Sequence, residues 1–191
     1  MSEPARASSP RKDELLELAY RYALQHGLVD VSLRPLAAAI GSSPRVLLFL
    51  FGSKDGLVRA LLARARTDEL ALLDGVRREG SESFAGIVAT TWGWLAANEH
   101  RQLLVLWAEA YARSLTEPDG PWAGFARQTV EDWLAVLATG QPPSHRRTDA
   151  GEADRTLALA VLRGSLLDLL ATNDLDRTTA AVRRHIAGRR G

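Results

Sequence analysis

The sequence predicts an all-α fold of about nine helices, a small three-helix unit followed by a larger helical body. Three observations predict it. Apolar residues recur three and four apart in every long window, and nowhere alternate with the period of two that a half-buried strand needs. Serines followed by proline mark helix starts, and single glycines mark helix ends. The chain has 191 residues and is 46% apolar, enough to bury a sizeable core, with no internal repeat.

Residues 1–9 are small, polar and charged and read as a disordered arm. Ser9 and Pro10 give a cap and a first helical position. Leu15, Leu18, Ala19, Tyr22 and Ala23 then line one face of a helix over 10–26 that Gly27 stops. Arg11 and Lys12 sit in its first turn, where the helix dipole favours acids, which hints at a compensating anion. Ser32 caps a short second helix with Leu36, Ala37 and Ile40 on its apolar face, and Gly41 ends it in the left-handed conformation. Ser42 and Ser43 make a tight turn. Ser43 caps a third helix opened by Pro44 and ended by Gly52. Ser53 caps a long helix to about Arg78, striped by Leu57, Val58, Leu61, Leu62, Ala65, Leu72 and Val76.

A turn at Gly80 and Ser81–Ser83 precedes a helix over 84–98, with Phe84, Ile87, Val88, Thr91, Trp92 and Leu95 in step. A helix over 101–115 carries Leu103, Leu104, Trp107, Ala110 and Tyr111. After the breaker Pro118-Asp119-Gly120-Pro121, a helix over 121–138 carries Trp122, Phe125, Ala126, Thr129, Trp133 and Leu137. Residues 139–151 lack periodicity and read as a mobile loop, with His145-Arg146-Arg147 solvated. A helix over 152–172 is apolar nearly all round, so it must be covered on more than one side. Asp174 or Asp176 caps the last helix, 175–188, whose C-terminal Arg183, Arg184, Arg189 and Arg190 suit its dipole.

The totals exclude several classes. Formal charge is +1, so no chain-wide basic field exists. The first 54 residues carry seven Lys/Arg against five Asp/Glu. The absence of cysteine removes disulfides and thiolate metal sites and suits a reducing cytoplasm. The N-terminus has no apolar signal segment, and no run approaches a membrane span. Histidines 26, 100, 145 and 185 are scattered, and no nucleophile elbow, phosphate loop or metal pair appears. We expect no enzyme, no cofactor and no metal site.

Helix, three-residue glycine turn, helix is the helix-turn-helix pattern. The residues Gly41, Ser43 and the run Phe51-Gly52-Ser53-Lys54-Asp55-Gly56-Leu57 resemble the DNA-binding domain of the tetracycline-repressor (TetR) family of bacterial regulators, over residues 11 to about 62. Many members end the third helix with Tyr-x-His-Phe; here it reads Leu48-Phe49-Leu50-Phe51. That hydroxyl and imidazole are missing, so Arg45 and Lys54 would carry more of the phosphate contacts. The resemblance implies a helix-turn-helix domain over 10–53 and a helical ligand-binding and dimerisation domain over 54–191, with double-stranded DNA as partner and a cytoplasmic location. The expected DNA-binding residues are Ser32, Arg34, Ser42, Ser43, Arg45, Phe49 and Lys54. Arg45 suits a guanine edge and Phe49 a thymine methyl, although Phe49 suits a core position equally.

All five tryptophans fall between residues 92 and 133. The family encloses a ligand cavity in this region, which implies Trp92, Leu103, Trp107, Tyr111, Phe125, Thr129 and Trp133 as ligand-binding residues. Aromatic walls suit a flat apolar or cationic small molecule. Glu109 either attracts a cation or pairs with Arg101 or Arg113, and the ion pair is favoured. The last two helices are expected to form a homodimer through Leu162, Ser165, Leu166, Leu169, Val182 and Ile186, with Gly164 and Ser165 allowing close approach. The resulting expectation is a dimeric transcriptional regulator, a repressor released from a pseudo-palindromic operator by a small-molecule effector. The alternative is a helical interaction or ligand-sensing protein that has lost DNA binding, supported by Leu50 at the usual histidine.

Overall fold

The computed structural model describes residues 9–28, 32–78 and 83–188. The expected arm before Ser9, the turn at Gly80–Ser81, and Arg189 and Arg190 lie outside the described residues. All described elements are helical, in the order α1 (Pro10–His26), α2 (Leu33–Ala39), α3 (Pro44–Phe51), α4 (Lys54–Arg78), α5 (Phe84–Leu95), a 3-10 turn (Asn98–His100), α6 (Arg101–Thr116), α7 (Phe125–Thr139), α8 (Pro143–Arg146), α9 (Asp149–Thr172) and α10 (Leu175–Ala187).

Local chemistry sets most boundaries. Ser43 Oγ accepts from the Val46 N–H at 3.3 Å, Ser53 Oγ from Gly56 at 2.9 Å, and Asp174 Oδ1 from Arg177 at 3.1 Å, each satisfying an orphan donor of a first turn. Ser9 and Ser32, by contrast, make no side-chain cap. Gly56 is fixed by approach rather than by φ, since a Cβ there would lie 2.0 Å from the Phe51 carbonyl oxygen. The start of α4 therefore packs directly on the end of α3. Arg11 and Lys12 find local partners: Arg11 bridges Glu14 at 2.7 Å, and the Lys12 ammonium lies 5.4 Å from the centre of the Phe51 ring.

Three boundaries differ from expectation. The helix expected over 84–98 stops at Leu95, and a separate 3-10 turn over Asn98–His100 precedes α6. The helix over 121–138 begins only at Phe125, because Gly124 is left-handed (φ 77) and the preceding residues turn to bury Trp122. The stretch 139–151, expected as a loop, holds α8, with Pro142 as its cap and Pro143 opening it. Buried Gln141 ties this stretch to α9, donating from Nε2 to the Gly151 carbonyl at 2.9 Å and accepting from Arg155 at 2.6 Å.

Two hydrophobic cores result. The first gathers Leu15, Ala19, Leu36, Ile40, Leu47, Phe51 and the first half of α4, and is completed by Leu106, Ala110 and Trp122 from the body. The second joins the later part of α4 to α5, α7, α9 and α10 through Leu73, Val88, Trp92, Trp133, Leu137, Leu162, Leu166 and Val182. A middle segment of α4 is gripped from both sides. Arg64 pairs with Glu17 and Asp68 and lies over the Tyr20 ring, while Tyr20 Oη donates to Asp68 at 2.9 Å. Burial, then the bond to Asp68, holds the Tyr20 phenol above its ordinary pKa. Two residues on, Arg66 pairs with Asp132 of α7 at 2.6 Å.

Candidate nucleic-acid interface and cavity

α2 and α3 meet at 101°, within the range of a helix-turn-helix. Leu47 and Phe51 anchor α3 in the first core, so the opposite face turns outward. That face carries Arg45, Val46, Leu48 and Phe49, with Phe49 86% exposed, which rules out a core role for its ring. Ser32, Arg34, Ser43, Arg45 and Lys54 are also exposed, and they surround this face in sequence. Ser42 differs from expectation: its hydroxyl is buried and finds no hydrogen-bond partner among the described residues, so it is not presented. Residues 32–54 contain three cations, Arg34, Arg45 and Lys54, and no acid.

A small cavity of about 40 Å³ lies between α4, the end of α5, α6, α7 and α9. Of the seven expected ligand residues it is lined by Leu103, Trp107, Phe125, Thr129 and Trp133. Trp92 and Tyr111 are not part of the lining. Trp92 faces α10, its Nε1 donating to Thr179 Oγ1 at 3.0 Å. Tyr111 stands behind Arg163, whose Nη1 donates to the phenol oxygen at 2.7 Å. Trp122, grouped by sequence with the other indoles, belongs to the first core instead.

Sequence reasoning missed Trp94, Arg163 and above all Glu69. Glu69 occupies the gap in the α4 stripe between Ala65 and Leu72, so spacing alone would have placed a carboxyl among apolar groups. It is 7% exposed, lines the cavity, and accepts from Trp133 Nε1 at 2.8 Å. Burial pushes its pKa up; the Trp133 hydrogen bond opposes this. Thr129 Oγ1 and Trp107 Nε1, both on lining residues, are buried and find no protein partner among the described residues. The walls therefore offer aromatic faces, one buried acid and two unspent polar atoms.

Among the described residues no ion pair joins Glu109 to Arg101 or Arg113. Glu109 Oε2 accepts from the Leu28 N–H at 2.8 Å, joining α6 to the end of α1. Arg113 pairs with Glu117 instead, and Arg101 donates to the Leu170 carbonyl at 2.9 Å. The expected dimer residues are also displaced. Leu162, Leu166, Leu169 and Val182 are buried in the second core, Ile186 packs against it, and Ser165 is half-buried. The reason is that α5, α7 and α10 of the same chain already cover that side of α9. The face of α9 left exposed holds Ala153, Leu157, Ala160, Gly164, Leu167 and Ala171, with Leu157 at 52% and Leu167 at 47%.

Among the described residues no group of acids and histidines could hold a metal ion, and no single helix is long and apolar enough to cross a membrane. No family model matches the chain. DNA ligase 1 of Pseudarthrobacter chlorophenolicus is 32% identical over 147 residues, which is 77% of this chain and 16% of the ligase. An HTH-type transcriptional regulator of Mycobacterium bovis is 27% identical over 135 residues, 66% of this chain and 56% of the regulator. The chain thus spans a small part of the ligase and little more than half of the regulator. Solved structures match over nearly the full length. A protein of Rhodococcus sp. assigned to the TetR family of transcriptional regulators superposes with a TM-score of 0.73 at 17% identity, covering 94% of this chain and 98% of that one. The multidrug binding protein EbrR, solved with imidazole, gives 0.66 at 21% identity over 97% and 96%. The chain has the fold of the TetR-family transcriptional regulators.

Proposed function

We propose that this protein is a dimeric, DNA-binding transcriptional regulator, a repressor released from its operator by a small molecule. The observation that carries the reading is the acid-free segment 32–54, which turns the outer face of α3 and three exposed cations toward solvent. Repressor-type proteins lay this second helix in the major groove. Arg45, near its start, is placed to fork onto a guanine edge, while Arg34, Lys54 and the N-terminus of α4 hold phosphates. The dimer forms through the exposed stripe of α9, which runs over roughly 27 Å of helix without a charge. A twofold pair of heads reads a pseudo-palindrome with half-sites one helical turn, or a multiple, apart.

The cavity would widen to take a flat, largely apolar ligand between its aromatic walls. A positive charge on that ligand would be met by Glu69, and polar groups by Thr129 and Trp107. EbrR, of the same fold, has been solved with proflavin, a comparison that favours this ligand shape. The ligand would favour a head spacing that no longer fits the operator, and its differential affinity for the two states sets the loss of DNA affinity.

The test is selection of bound fragments from the host genome, followed by titration of the selected operator against salt. With Arg34 and Lys54 on phosphates in each of two heads, the slope of log K against log salt should be about −3.6. Arg45→Ala should lose about 10-fold or more and relax selection at one base pair per half-site. A protein that ignores every duplex at low ionic strength would leave only the interaction-protein reading.

A further inference from the structure

We propose that Phe49, flanked by Val46 and Leu48, is a specificity-determining reader of the C5-methyl group of a pyrimidine, thymine in the first instance. It acts about two base steps along the groove from the base that Arg45 contacts. The inference rests on the DNA-binding reading above and deepens it.

Three observations carry it. Phe49 is the most exposed large hydrophobic side chain among the described residues, at 86%, and its neighbours Val46 and Leu48 are also exposed. On a helix with 100° per residue, Leu47 and Phe51 facing the core put Arg45 and Phe49 together at the centre of the outer ridge, with Val46 and Leu48 on either side of it. Finally, the segment 32–54 has Arg34, Arg45 and Lys54 and no acid, so the patch is framed for a polyanion rather than for an acid-and-base-patterned protein surface.

The chemistry of the groove then selects the target. Base edges in the major groove offer donors and acceptors, which a phenyl ring cannot satisfy, and one apolar group, the thymine methyl. Arg45 and Phe49 are one turn apart on the same ridge. Four residues rise about 6 Å, and bases follow one another about 3.4 Å apart along a strand, which gives the two-step register. The same methyl is present on 5-methylcytosine, so the reader would accept that base where it rejects cytosine.

The experiment uses the full-length protein and the operator recovered by genomic selection. Each thymine is replaced in turn by deoxyuracil, which removes only the methyl. One thymine per half-site, about two steps from the position relaxed in Arg45→Ala, should lose about fourfold on replacement, and about fifteenfold when replaced in both half-sites. Phe49→Ala should melt as the parent does, since its side chain is exposed, and should bind the thymine and uracil operators alike. Cytosine at that position should weaken the parent, and 5-methylcytosine should restore it. If the parent binds thymine and uracil operators equally at every position while Arg45 still selects its base, the methyl reader is wrong and the DNA-binding reading stands. If no duplex binds at low salt, both fall.

Discussion

Replacing Trp133 by Phe should expose the cost of keeping Glu69 in the cavity wall. The indole N–H lies 2.8 Å from Glu69 Oε1, and Glu69 is 7% exposed, so water cannot take over the lost donor freely. A hydrogen bond to a charged group contributes about 1.5–3 kcal/mol, and the smaller ring forfeits about 1 kcal/mol of buried contact. The total is about 2.5–4 kcal/mol, which for a chain of this length lowers the melting temperature by about 5–16 °C. The loss must depend on pH. Glu69 has a folded pKa raised above its unfolded value, so the folded state holds the extra proton. The penalty is absent below the ordinary carboxylate range and is fully present above the raised folded value. Trp133→Phe removes the donor that opposes the rise, so its melting point should fall further from the parent's as pH increases from 4 to 8. Glu69→Gln keeps an acceptor for the indole and removes the charge, so it should flatten the pH dependence and melt above the parent at pH 8. In the Glu69→Gln background, Trp133→Phe should cost about 2 kcal/mol less than in the parent. Calorimetric melts at one fixed protein concentration measure all four proteins. A cost that is the same at pH 4 and pH 8, or no coupling between the two substitutions, would refute the reasoning.

Further expectations follow from other contacts. Gly27 has φ +78 and ψ 175, a region almost closed to other residues, and a Cβ there would sit 3.2 Å from both Glu109 carboxylate oxygens. Gly27→Ala should therefore destabilise by about 2–3 kcal/mol, read from the midpoint of urea unfolding. Tyr20→Phe leaves the ring under Arg64 but deletes the bond to Asp68, and should cost about 1 kcal/mol with no change in helix content. Leu167→Arg places a charge on the exposed stripe of α9 and should yield a folded single subunit by sedimentation. A stable dimer in that variant would move the interface elsewhere.

Short-range chemistry was the part of this molecule most open to reading from sequence. Gly41, Ser43, Pro44, Gly52 and Ser53 act within a turn of themselves, so the order of the first four helices follows from their residue types. Longer-range choices were hidden for physical reasons. Leu162, Leu166 and Leu169 look no different in sequence from Leu157 and Leu167; only the packing of α5, α7 and α10 decides which leucines are spent inside the chain. Trp122 resembles the cavity indoles but is diverted by the left-handed Gly124. Glu109 sits in an apolar stretch of sequence that suits a cationic partner, yet it satisfies a backbone N–H 81 positions away in sequence, a contact no local pattern encodes. Glu69 was the legible omission, since it breaks an apolar stripe at the position where the stripe should continue. For the outer face of α3, exposure settled what spacing left open, by turning Phe49 to solvent.

The first core is closed only by side chains that arrive much later in the chain, Leu106, Ala110 and Trp122. The small N-terminal unit is therefore not a portable part. Grafted onto a foreign trunk, it would arrive with an open seam where three large or close-packed groups used to sit, and α3 would lose the footing under α1. Exchange of binding preferences between relatives of this shape should succeed by altering the outward residues of α3 in place, and should fail when the whole unit is transplanted without the matching patch of the body.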